Sequence, residues 1–338
     1  MPRAHAIALP FRPPGLTRHP GGATVPPPRS VRAEGRAFMV LGILLAVLTG
    51  LSFGGIAALC SLATRRRFPF CWFAALACAA ASGVLCGVRV DWSAVAAGRV
   101  PRAALLLTVF LLVGALNAVT FVVMNRAMRA GHHGVIWTVA QSALVFPFAS
   151  SVLVRGEPAT LPRLLGLGCI LGGLVAFGRT RDDRPAPPPP PGARRPVHWF
   201  SLALLCFAIT GAAQVFTTIP SYWKDWADTA RLRAAVLLAA AAASYTAIAL
   251  ARREPFARKV VPWAILLAGV IAGGHIALFE SMDRLEKNQA LSVLYPVAVG
   301  TSIVAFALYS RLALREPFGL CHAIGTVLCT VGLVAISL

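Results

Sequence analysis

Long apolar stretches alternate with short polar ones along most of the chain. Ten runs can be drawn, at roughly 38–62, 69–89, 103–126, 134–154, 162–179, 198–219, 232–251, 260–281, 289–311 and 317–337. Each stops at Arg, Lys, Pro or a polar cluster. Most are about 18–25 residues long, which at ~1.5 Å of helical rise per residue matches a hydrocarbon core of ~30 Å. The pattern predicts an all-α polytopic membrane protein with about ten transmembrane helices.

The longest polar insert within this pattern runs from Arg179 to Val197 and contains an Arg-Asp-Asp-Arg cluster followed by Pro187 to Pro191. A proline run of this kind is a stiff extended spacer. It divides the chain into 37–180 and 198–338, with five apolar runs in each and 181–197 as the linker. The two parts repeat: a shift of 159 residues brings Glu157-Pro158 onto Glu316-Pro317, Gly166 onto Gly325 and Gly173-Leu174-Val175-Ala176 onto Gly332-Leu333-Val334-Ala335. Because five is odd, the second copy enters the membrane from the opposite side, so the expectation is two inverted five-helix repeats. Gly50/Gly54, Gly83/Gly87, Gly168/Gly172 and Gly269/Gly273 have the spacing that lets helix backbones approach closely.

Composition adds the solvent. Apolar residues make up 57% of the 338, charged residues 13%, and the mean hydropathy is +0.73, more apolar surface than a water-soluble domain of this length can bury. The formal charge of +20 raises a nucleic-acid reading, but the cations are scattered over the ends of the apolar runs, where they anchor helices at headgroups. Nucleic acid is therefore not an expected partner; the lipid bilayer is. The eight cysteines, none in a Cys-x-x-Cys pair, read as small packing residues. His132-His133 has no third ligand nearby, so no metal is expected. Residues 1–36 hold eight Pro, six Arg and one acid, Glu34, a composition expected to be disordered. The first apolar run is too long for a signal peptide, and Met39 offers an alternative start.

Polar residues inside apolar runs are the candidates for function, since each is costly to keep in hydrocarbon. They are Asn117 in the third run, Trp137 and Gln141 on one face of the fourth, Thr210 and Gln214 in the sixth, His275 and Glu280 in the eighth, and Tyr295 beside Pro296 in the ninth. His275 and Glu280 are the groups suited to proton coupling, although Glu280 is also placed to pair with Arg284 one turn on. Glu157 and Glu316 precede helices and suit a structural role, capping the helix that follows. No phosphate loop, Gly-x-Ser-x-Gly or His-Glu-x-x-His occurs; nothing points to an enzyme or a cofactor.

Arg155-Gly156-Glu157-Pro158 and Arg315-Glu316-Pro317, the glycines after them and Pro296 make residues 38–338 resemble the EamA-type transporters of the drug/metabolite transporter superfamily. The resemblance implies a secondary transporter, most readily an exporter of an amino acid, drug-like compound or other small metabolite. It also implies a multi-pass bacterial inner (plasma) membrane location with both termini cytoplasmic. Charge does not support that orientation: Lys and Arg divide 16 to 16 between the two faces, and 10 to 16 without the six arginines of the tail. Sugar or nucleoside-type uptake on the same fold, a polytopic membrane enzyme and a non-transporting scaffold are the rival readings. A homodimer is the assembly left open.

Overall fold

The computed structural model describes residues 29–88, 90, 103–131, 133–155, 160–178, 199–222, 230–287, 294–316 and 319–337. Among them all regular structure is helical. In order, the helices are α1 (Arg29–Arg65), α2 (Phe70–Val88), α3 (Ala103–Ala130), α4 (His133–Gln141), α5 (Val145–Arg155), α6 (Leu161–Gly178), α7 (Trp199–Thr218), α8 (Ala230–Ala251), α9 (Val261–Lys287), α10 (Leu294–Leu312) and α11 (Leu320–Ser337). A backbone in hydrocarbon has no water to bond, so apolar runs must satisfy their own N–H and C=O groups, and the helix does so within one segment. Among the described residues six helices are long and apolar enough to cross a membrane: Phe38–Arg65, Phe70–Gly87, Ala104–Ala130, Trp199–Thr218, Leu232–Ala251 and Arg258–Leu285. Leu161–Phe177 and Leu320–Gly332 are apolar and shorter. Leu44, Leu48, Val84, Leu111, Leu165, Ile265, Val304 and Val327 are all exposed. An outer surface of this kind fits lipid, and the chain is a multi-pass helical membrane protein.

Several boundaries depart from the sequence pattern. Helix α1 starts at Arg29, inside the segment 1–36 expected to be disordered, because Arg, Ala and Glu extend a helix readily once the prolines ending at Pro28 are passed. The rest of that tail, the Pro-rich linker and Glu157-Pro158 lie outside the described residues. The fourth apolar run is not one helix: Ser142–Leu144 form a single 3-10 turn between α4 and α5. Pro296 does not break a described helix; it stands in the first turn of α10, where a missing N–H leaves no bond unmade.

The loops that leave α1, α8 and α10 share a stop. Arg67, Arg253 and Arg315 adopt φ of 52°, 51° and 53°, the left-handed conformation that ends a helix. The next N–H then bonds back to an earlier carbonyl, Phe68 to Ala63 at 2.9 Å and Glu254 to Ala249 at 2.9 Å.

Helix α1 packs on α9 and α10, and α7 packs on α3 and on the α4–α5 pair. Helix α2 lies along α8, and α6 along α11. The α6–α11 contact carries the 159-residue relation into space. A Cβ on Gly173 would lie 2.6 Å from Cys329 Sγ and 2.9 Å from the Gly325 carbonyl, and one on Gly332 would lie 2.5 Å from the Gly166 carbonyl and 3.0 Å from Ile170 N. Adding 159 to 173, 166 and 170 gives 332, 325 and 329, so each glycine's neighbours are the shifted equivalents of the other's. The Gly332→Ala variant should therefore lose about 1–3 kcal/mol of stability through overpacking, read as a lowered melting temperature in detergent.

The expected close-packing glycines are only partly the observed ones. Gly50 and Gly54 meet α10, but Gly83, Gly87, Gly168, Gly269 and Gly273 have nothing within 4 Å, and Gly172 reaches only Leu328. Spacing alone does not say which face of a helix carries the neighbour, and these glycines point away from the bundle.

Candidate functional site

A cavity of about 150 Å³ lies inside the bundle. Asn117, Trp137, Gln141, Gln214, His275 and Tyr295 all stand on its wall, supplied by α3, α4, α7, α9 and α10. The structure thus brings the six candidate residues from both halves of the chain to one place. Thr120, Thr210, Thr217 and Tyr245 add hydroxyls, and Phe53, Ile56, Phe70, Leu237 and Ile271 are among the apolar groups that fill the rest.

The wall is held by packing more than by polar bonds. Trp137 is 2% exposed and is wedged between Phe121 and Phe306, with ring centroids 6.4 and 5.9 Å away; such edge-on aromatic contacts fix a ring without using its N–H. Among the described residues no partner is found for Trp137 Nε1, Gln214 Oε1, Tyr295 Oη, Thr120 Oγ1 or Thr210 Oγ1. Buried polar atoms ordinarily find partners, so five such atoms around one cavity is a concentration that packing does not explain. His275 Nδ1 lies 2.9 Å from the Ile271 carbonyl. A carbonyl only accepts, so Nδ1 carries the proton and Nε2 keeps its lone pair in the neutral ring. Phe53 meets the same imidazole edge-on at 6.1 Å.

One end of the cavity faces a vestibule of about 820 Å³. Three helices contribute one residue to the cavity and another a turn away to the vestibule, Cys60 and Thr64, Met124 and Met128, Trp137 and His133, and Phe68, just before α2, lines the vestibule while Phe70 lines the cavity. The wall between the two spaces is therefore about one helical turn thick, ~5 Å. Arg65, Arg67, Arg129 and Lys259 line the vestibule with Glu254 and Glu316.

Both carboxylates are engaged at helix starts. Glu316 accepts from the His133 N–H at 3.0 Å, the Gly134 N–H at 3.3 Å and the Ser310 hydroxyl at 2.5 Å. It caps α4, in the other half of the chain, and not the helix that follows it; the left-handed turn at Arg315 aims the side chain across the bundle. Glu254 accepts from the Cys71 N–H at 3.2 Å, at the start of α2, and its carbonyl accepts from Trp72 Nε1 at 2.7 Å. The tripeptide Arg253-Glu254-Pro255 repeats Arg315-Glu316-Pro317, a signal that would have found this second cap.

An ion pair stands toward the opposite end. Arg233 near the start of α8 is fully buried, with Nη1 3.2 Å from Asp283 Oδ1 on α9 and its guanidinium 6.0 Å from the Phe279 ring centroid. Arg233 stands one turn from the cavity residue Leu237. Glu280 is not on the cavity wall; it pairs with Arg284 at 3.3 Å, and both side chains are more than a quarter exposed. His133 opens α4 and bonds Ser61 through Nδ1 at 2.8 Å, while His132 lies outside the described residues.

No family model matches the chain, and no curated protein matches it. A solved crystal structure is similar over 86% of this chain and 94% of its own length, with a TM-score of 0.56 at 15% identity. A likeness at that identity concerns the fold alone, and it places this helical arrangement among folds seen by experiment.

Proposed function

We propose that the chain is a secondary transporter of the EamA type, with ten membrane-crossing helices in two inverted five-helix copies, moving a small metabolite by alternating access. The observation that carries the reading is the cavity itself: polar residues from both halves converge on one site, with a vestibule about one helical turn beyond one end and a buried ion pair about one turn beyond the other. Inverted-repeat carriers bind near the bilayer midplane, where equivalent helices of the two copies meet. Two further features support the duplication. The α6–α11 contact relates residues by the shift that aligns the sequence copies. The packing partners also exchange: α1 lies on α9 as α7 lies on α3, and α1 lies on α10 as α7 lies on α4 and α5.

Export is the direction favoured, and the bacterial inner membrane is the location. His275 is the group proposed to couple transport to protons, because it is the ionisable side chain on the described cavity wall whose ordinary range spans physiological pH. Uptake and efflux of a metabolite panel in vesicles, with and without a proton gradient, tests this reading: gradient-driven flux of some compound supports it, and absence of flux across the panel counts against it. Both termini are proposed to be cytoplasmic. A cysteine introduced at Ala193 should then react with a membrane-impermeant reagent in intact cells, and no reaction at normal expression reverses the orientation.

A further inference from the structure

Resting on the transporter reading, we infer that the central cavity selects an uncharged, single-ring heterocycle bearing both N–H and C=O groups, a cyclic amide of about pyrimidine-base size. Three observations carry this. The first is volume: a buried space of about 150 Å³ is of the size that holds one benzene ring when apolar. The second is charge: no Asp, Glu, Lys or Arg stands among the described wall residues. The ionised groups nearby, Arg233 with Asp283 and Glu316 with the α4 start, are engaged beyond the two ends. A carboxylate or ammonium taken into this space would lose its water without meeting an opposite charge. The third is the kind of atom left unpartnered. Trp137 Nε1 can only donate and Gln214 Oε1 can only accept, while the Tyr295 hydroxyl does either; His275 Nε2 adds an acceptor once Nδ1 is committed to Ile271. A ligand with donors alone would leave Trp137 Nε1 unpaired, and one with acceptors alone would leave Gln214 Oε1 and His275 Nε2 unpaired; such sites reject ligands that leave buried polar groups unmet.

Donors and acceptors on one flat ring match both the aromatic walls and the mixed polar atoms. Neutral hydrocarbons match only the first and sugars only the second.

The test uses the full chain with three labelled single-ring probes: uracil as the neutral cyclic amide, benzoate as an anion of nearly the same size and phenylalanine as a larger zwitterion. Binding is measured in detergent and flux in proteoliposomes. The expected result is saturable uracil binding at least about tenfold tighter than either charged probe, with Trp137→Phe and Tyr295→Phe each weakening it about five- to tenfold. Tyr295→Phe keeps its ring and Trp137→Phe keeps an aromatic one, smaller by the pyrrole, and an unchanged melting temperature separates loss of a hydrogen bond from loss of packing or of the fold. Equal or tighter binding of phenylalanine or benzoate overturns the inference while leaving the transporter standing. So does failure of uracil to bind, or uracil binding that both variants leave unchanged. Uracil binding without flux supports the inference and counts against transport.

Discussion

Replacing Arg233 by Met should destabilise the protein by about 3–5 kcal/mol, because it removes a fully buried cation from beside the Asp283 carboxylate. The guanidinium is fully buried and 3.2 Å from Asp283, so solvent does little to screen the pair or to replace the lost partner. The double variant Arg233→Met/Asp283→Leu removes both charges and should recover most of the loss, since a buried pair exchanged for apolar packing is often near neutral. Thermal unfolding in detergent measures both variants. If the double variant is no more stable than the single one, the pair contributes through shape and not through charge.

The second large effect is expected at Glu316. Its carboxylate accepts three hydrogen bonds, two of them from the first N–H groups of α4, and a negative charge there also meets the positive end of the helix dipole. Glu316→Ala should cost about 2–3 kcal/mol, the scale of a charged hydrogen-bonded cap. Glu254→Ala should cost less, because its side chain holds one backbone N–H, that of Cys71. Helix α4 carries Trp137 and Gln141, so uncapping it should also weaken substrate binding, whereas Glu254→Ala should affect binding little. A binding assay beside the melting curve checks this, and equal effects of the two variants on binding would show that α4 is positioned by its packing alone.

Hydrophobic run length was enough to read a helical membrane protein with long apolar helices, because lipid imposes one simple requirement on backbone. The break at Ser142–Leu144 has a signal that run length ignores: Pro147 has no N–H to give the Ala143 carbonyl and its ring crowds that group, so the helix restarts with Pro147 in the first turn of α5. The six cavity residues could be picked out as polar groups inside apolar runs. The same rule also selected Glu280, which turns out to pair with Arg284; periodicity places a residue on a helix but does not say which neighbour that face meets. The same limit explains the glycines: Gly50 faces α10 and Gly83 faces open space, although both have the same i, i+4 spacing. Arg233 could not be read as buried, because an arginine at the edge of an apolar run is most simply a headgroup anchor and its acid lies 50 residues away. Glu254 was legible, in a tripeptide shared with Glu316.

Access from both faces is the direct test of alternation. Thr120 lines the cavity and is 4% exposed, and a cysteine there, in a background whose eight native cysteines are replaced, reports on the route open to it. In proteoliposomes of known orientation, an impermeant thiol reagent should reach Thr120→Cys across the one-turn wall from the vestibule face faster than from the opposite face, and a transported substrate should raise labelling from that opposite face. Modification from either side should abolish flux. Labelling confined to one face under every condition, with flux continuing, would contradict the account.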